Sequence, residues 1–148
     1  MGIKGALGEA LKESLKARDQ VRLDTIRMAV AAIKNKEIDK RGELTEPEAV
    51  QVVATLVKQR RESIAEFSKG GRQDLVDKET RELGILLAFL PPSLPAEEVE
   101  GRVKKKIAEL GAKDVKDMGR VMKALREELA GQVDGQLLSD TVRKLLAG

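Results

Sequence analysis

The stretch "FLPPSLP", residues 89–95, divides the chain into two runs of helical sequence. Pro91 and Pro92 lack the N–H that a continuing helix needs, and each proline holds the residue before it away from the α region. On both sides of this break apolar residues recur every three or four positions, the period of a helix with one buried face. No stretch alternates with period two for long enough to read as a strand. The expected fold is all-α: two helical bundles, about four helices over residues 1–92 and about three over residues 93–148, joined by a stiff proline connector.

Upstream of the break, Ile3, Leu7, Leu11 and Leu15 form the first stripe, and Leu23, Ile26, Val30 and Ile33 form a second that runs to about Lys40 and stops at Gly42. "LTEPE" at 44–48 reads as a helix start, with Thr45 as N-cap, Pro47 in the first turn and Glu48 three residues after the cap. That helix carries Val50, Val53, Val57, Ile64 and Phe67 to Gly70-Gly71. A fourth, about 72–90, carries Leu75, Leu83, Leu86, Leu87 and Leu90. Downstream come Val99, Val103, Ile107 and Leu110 before Gly111; Met118, Val121, Met122, Leu125 and Leu129 before Gly131; and Leu138, Val142 and Leu145.

Composition removes most catalytic chemistry. The 148 residues include no Cys, His, Trp or Tyr, and Phe67 and Phe89 are the aromatic residues. Thiol and imidazole nucleophiles, imidazole bases and Cys/His metal sites are excluded together. Glu97-Glu98 and Glu127-Glu128 are neighbours that point in different directions on a helix, so they read as solvated faces rather than acid–base pairs. Asp74, Asp77 and Glu79 lack the spacing of a calcium loop, and Gly70-Gly71-Arg72 lacks the Lys-Ser/Thr of a phosphate loop. No catalytic residue, no metal and no cofactor are expected. Residues 1–20 show apolar positions spaced by charges, so neither a signal peptide nor a membrane span is expected, and the cytosol is the default location.

What remains is cationic. The net charge of +3 is too even for strong bulk attraction to nucleic acid. Yet Lys104, Lys105, Lys106, Lys113, Lys116, Arg120 and Lys123 gather in two adjacent elements, followed by Arg126. At about 100° per residue, Lys116, Arg120 and Lys123 fall within about 60° of one another, roughly opposite Met118, Val121, Met122 and Leu125. One face packs and the other presents charge. Lys58, Arg60 and Arg61 form a second cluster in the first half. Without aromatic platforms for single strands, a nucleic-acid partner is expected to be a folded RNA or a duplex held by its backbone.

"DTIRM" at 24–28, "LTEPE" at 44–48, "KQRRESIAEFSKGGRQDLVDKETREL" at 58–83, "LPPSLP" at 90–95, "DMGRVM" at 117–122 and "GQVDG" at 131–135 together resemble the GatB/YqeY family, in order and over essentially the whole chain. The resemblance implies a first YqeY-type bundle and a second bundle similar to the tail of the B subunit of the glutamine-dependent aspartyl/glutamyl-tRNA amidotransferase, which helps hold tRNA. It therefore implies a tRNA-related accessory module, with tRNA and an amidotransferase or another tRNA-handling enzyme as partners. Nothing corresponds to the amidase subunit or the ATP-using body, so carbon–nitrogen ligase activity with glutamine as donor is expected only within a larger complex. A protein-interaction adaptor that keeps the tail fold is the alternative.

The family's Asp-Met-Gly-Lys/Arg-Val-Met signature is matched at 117–122, and its Gly-x-Ala-Asp-Gly at Gly131, Asp134 and Gly135 with Val133 for Ala. Gly119 is open to two readings. It leaves backbone bare for a ribose-phosphate chain, or it lets helices pack closely with Asp117 as N-cap. Lys123 stands where the pattern favours Gly, Glu127 where it favours Pro, and Glu128, Ala130 and Gln132 where it tends to be basic. The second half of the face is expected to be less basic than usual.

Overall fold

The computed structural model describes residues 2–147. Among them the regular structure is helical: seven α-helices and one 3-10 turn, with no strand. The chain divides into two compact units, one ending at Leu90 and the other beginning at Pro91.

The first unit contains α1 (Ile3–Ala17), α2 (Gln20–Lys40), α3 (Glu46–Lys69) and α4 (Gln73–Leu87). α2 and α3 each touch the other three helices, and α3 and α4 form the most intimate pair. Leu7, Ile26, Val53 and Leu86 are fully enclosed in its core. In α1 the stripe of every fourth residue drifts by about 40° per step, so Ile3 and Leu7 are buried but Leu15 is 51% exposed. Ser14 takes the inward position instead, its hydroxyl donating to the Ala10 carbonyl at 2.8 Å. Leu87 is 38% exposed for a related reason: Leu86 beside it holds the inward direction.

The capping box at Thr45 forms as expected, with Thr45 Oγ1 accepting from Glu48 N and Glu48 Oε1 accepting from Thr45 N. Glu46, in the same first turn, reaches across to α1, where its carboxylate accepts the Ile3 N–H at 2.8 and 3.1 Å. A Cβ on Gly2 would lie 2.5 Å from that carboxylate, so the glycine makes room for the contact. α2 ends at Lys40 as expected, but the residue that turns the chain there is Arg41 and not Gly42. Arg41, at φ 61°, takes the left-handed conformation, and Gly42 N donates to the Glu37 carbonyl.

The second unit contains α5 (Ala96–Leu110), the 3-10 turn Val115–Asp117, α6 (Met118–Glu128) and α7 (Gly135–Ala147). Val99 and Val103 from α5, Val121, Met122 and Leu125 from α6, Leu129, and Leu138, Val142 and Leu146 from α7 form one core. Leu146 is buried and Leu145 half-buried, the reverse of the expected emphasis at the chain's last stripe. Pro91 and Pro92 belong with this unit, whereas the proline break alone predicts a boundary after residue 92. Leu94 packs against its core and donates its N–H to Gln132 O at 2.8 Å. Hydrogen exchange checks this attachment. The Leu94 amide should be protected together with α5, and that of exposed Ser93 should exchange fast; equal rates would show that the segment is not fastened.

Candidate nucleic-acid interface

α6 separates its residues cleanly. Val121, Met122 and Leu125 are buried, while Gly119, Arg120, Lys123, Arg126 and Glu127 are exposed. At about 100° per residue, Gly119, Lys123 and Arg126 fall within about 60° of one another on the outward side. Among the described residues, no atom beyond the helix's own backbone and the adjoining residues lies within 4 Å of the place a Gly119 Cβ would occupy, so close helix packing inside this unit is not what the glycine serves.

The approach to α6 differs from the expected cap. Asp117 makes no side-chain cap bond to the helix; instead its Oδ2 accepts from Lys113 N at 2.9 Å and its Oδ1 from Arg120 Nη2 at 3.2 Å. These bonds, the one to Lys113 N foremost, hold its carboxyl below the usual carboxylate range. Asp114 caps the preceding 3-10 turn, accepting from Lys116 N at 2.9 Å. Lys116 therefore sits in that turn and not in α6, and the helical angle that groups it with Arg120 and Lys123 does not apply to it. The second signature also has a structural use. Gly131 turns the chain at φ 76°, and Asp134 Oδ1 accepts from Gln136 N at 2.9 Å at the start of α7.

The candidate cations fall into two sets. Among the described residues, Lys105, Lys113, Lys116 and Lys123 are exposed and form no ion pair, and Arg126 joins them. The others are countered. Lys104 lies 3.5 Å from Glu100, Arg120 3.2 Å from Asp117, and Lys106 2.9 Å from Glu128 and 3.1 Å from Glu109. The pairing to Glu128, then to Glu109, raises the Lys106 ammonium above the usual lysine range.

In the first unit Lys58 and Arg61 are exposed. Arg60 is not presented. Its side chain is 15% exposed, its Nε lies 2.9 Å from Glu82 and 3.1 Å from Glu79, and its Nη2 lies 2.7 Å from Met28 Sδ. The same unit has a groove of about 460 Å3 lined by Ala32, Leu44, Val52, Lys36, Glu48 and Thr55. Glu48 is fixed there by Lys40 at 2.6 Å, the contact that does most to bring its carboxyl down to about 2. Of the acidic residues set aside as metal ligands, Asp74 pairs with Arg72 at 3.2 Å, Glu79 pairs with Arg60, and Asp77 accepts from Gln73 Nε2 at 2.8 Å.

The profile of the family described as Yqey-like protein matches residues 4–146, nearly the whole chain. The chain belongs to this YqeY-like family. Its relatives include proteins named "Altered inheritance of mitochondria protein 41, mitochondrial". The one from Kluyveromyces lactis is 43% identical over 108 residues, which is 71% of this chain and 58% of that protein. Those from Clavispora lusitaniae and Saccharomyces cerevisiae are 35% identical over 134 residues (85% of this chain, 78% of the relative) and 30% over 132 (86% and 68%). The YqeY-like chain thus spans 58% of the length of the Kluyveromyces relative.

These names correct the cytosolic expectation, because the relatives are called mitochondrial proteins. The expectation rested on the lack of an apolar leader. That feature bears on secretion and says nothing against an organelle whose targeting segments are amphipathic and Arg-rich.

Proposed function

We propose that this YqeY-like chain is an accessory module that holds tRNA by its backbone and carries out no chemistry itself. The observation that carries the reading is the outward face of α6, where a bare glycine backbone at Gly119 lies beside Lys123 and Arg126, exposed cations that form no ion pair among the described residues. Lys113 and Lys116 extend the charge along the turn that leads into the helix. Phosphate contacts position a partner without reading bases, and exposed lysines and arginines without an aromatic platform are suited to that task. The resemblance of this unit to the amidotransferase B-subunit tail supplies tRNA as the partner class. The relatives' names make an organellar tRNA pool the first to try beside a bulk cellular one.

Binding of deacylated tRNA at low and moderate salt tests the reading. A module that neutralises three or four phosphates should weaken with a log–log slope of roughly −2 to −3.5. The chain has no Trp, Tyr or Cys, so nucleic acid that co-purifies dominates its ultraviolet spectrum. Undetectable binding at low salt removes the RNA reading and leaves the protein-interaction adaptor.

The isolated chain, given ATP, glutamine and misacylated Glu-tRNA, should form no amide. No His or Cys is present to activate or supply a glutaminase nucleophile, and no phosphate loop is found in its sequence. Ammonia release above background would reveal a catalytic site and overturn the accessory role.

A further inference from the structure

Glu127 and Glu128 are adjacent and alike in sequence, but the fold uses them differently. Glu127 is exposed and forms no ion pair among the described residues. Glu128 follows Arg120 and Ala124 at spacings of four, on the row of α6 turned toward α5. Its Oε1 accepts from Arg102 Nη1 at 3.2 Å, and its Oε2 lies 2.9 Å from Lys106 Nζ. Each cation has a further carboxylate, Glu98 at 3.7 Å from Arg102 and Glu109 at 3.1 Å from Lys106. Lys106, then Arg102, hold the Glu128 carboxyl below the usual carboxylate range, so it stays ionised at neutral pH.

We infer that Glu128 is an internal competitor of the polyanion: it keeps Arg102 and Lys106 bound along the α5–α6 seam and withholds both from the phosphates of a ligand. The inference rests on the proposed RNA reading and adds a control on the affinity of the same unit. Lys106 is 21% exposed and Arg102 39%, so both are near enough to the surface to reach a phosphate once released. Ion pairs this open to solvent are weak and screened by salt. A dense phosphate backbone can displace them, so Glu128 tunes binding and does not block it.

The test compares the parent with Glu127→Gln, Glu128→Gln and Glu128→Gln/Lys106→Gln, by tRNA affinity across a salt series and by retention on heparin. Both single variants remove one negative charge, but Glu128→Gln alone takes a carboxylate from Arg102 and Lys106, leaving each with one remaining partner, Glu98 or Glu109. It should bind tRNA about threefold or more tighter than Glu127→Gln, with a slope steeper by up to about 1.4 to 1.8 for two added phosphates. Lys106→Gln should cost more affinity in the Glu128→Gln background than in the parent. Equal affinities and slopes for Glu127→Gln and Glu128→Gln, or equal costs of Lys106→Gln in both backgrounds, overturn the inference and leave the RNA reading standing. If no variant binds tRNA at low salt the RNA reading falls, and heparin elution still decides the competitor role: co-elution of the two single variants overturns it. Far-UV circular dichroism monitors the seam. Should Glu128→Gln fail to fold, the parent background decides, because Lys106→Gln should lose less affinity than Lys123→Gln and an equal loss counts against withholding.

Discussion

Arg60→Gln, followed in the full chain by far-UV circular dichroism, is expected to destabilise the first unit by about 2 to 3 kcal/mol, or roughly 10 to 20 °C in Tm. The guanidinium sits between the carboxylates of Glu79 and Glu82, whose side chains are 18% and 15% exposed. Arg60 Nε and Glu79 Oε2 are buried without a well-aligned hydrogen bond, so the attraction there is ionic. Removing the cation leaves two carboxylates facing each other with little water, which is the costly way to break a buried pair. The full cost of such a break is moderated by the remaining exposure. Glu79→Gln should be nearly neutral. One cation between two carboxylates leaves an excess negative charge, and neutralising one of them gives a matched pair, so its effect should stay within about ±0.5 kcal/mol. Below its transition, Arg60→Gln should bind tRNA like the parent. A variant that melts like the parent but binds tRNA less well would place Arg60 on the RNA face after all.

Arg60 also marks where sequence reading stops. In "KQRR" it is indistinguishable from Lys58 and Arg61, because the residues that enclose it come from α2 and α4. Features written locally were legible. The Thr45 capping box involves residues three apart, and the α6 core stripe is a matter of helical period alone. Features that depend on distant partners were not. The Glu46 carboxylate that receives the Ile3 N–H is separated from it by 43 positions, and nothing in the α1 sequence announces it. The site divides the same way. Lys106 and Lys123 read as equal cations until Glu128 is seen to occupy one of them. Asp117 reads as an N-cap because a short side chain before a helix usually is one. The inserted 3-10 turn redirects it to Lys113 N and Arg120.

The second large effect concerns the outward face of α6. Lys123→Gln with Arg126→Gln removes two exposed cations that form no ion pair among the described residues, so stability should change by no more than about 0.5 kcal/mol. Binding to tRNA should fall about tenfold or more, with a slope shallower by about 1.4 to 1.8. Gly119→Ala asks whether bare backbone matters in addition to charge. A methyl group there meets nothing within 4 Å, so the helix should gain up to about 1 kcal/mol, the usual difference between Gly and Ala. Open space is not special to this position, since Gly8 in α1 and Gly84 in α4 are equally free of neighbours. Alanine at Gly8 or Gly84 should stabilise in the same way and leave tRNA affinity alone. If Gly119→Ala stabilises the fold and weakens tRNA, while Gly8→Ala only stabilises it, the partner's backbone comes against the helix at Gly119. If all three alanine variants bind equally but the double Gln variant does not, the face works through charge alone. If the double Gln variant keeps both parental stability and parental affinity, α6 is not the face that holds RNA, and Lys105 on α5 with Lys58 and Arg61 on α3 are the exposed cations to test next.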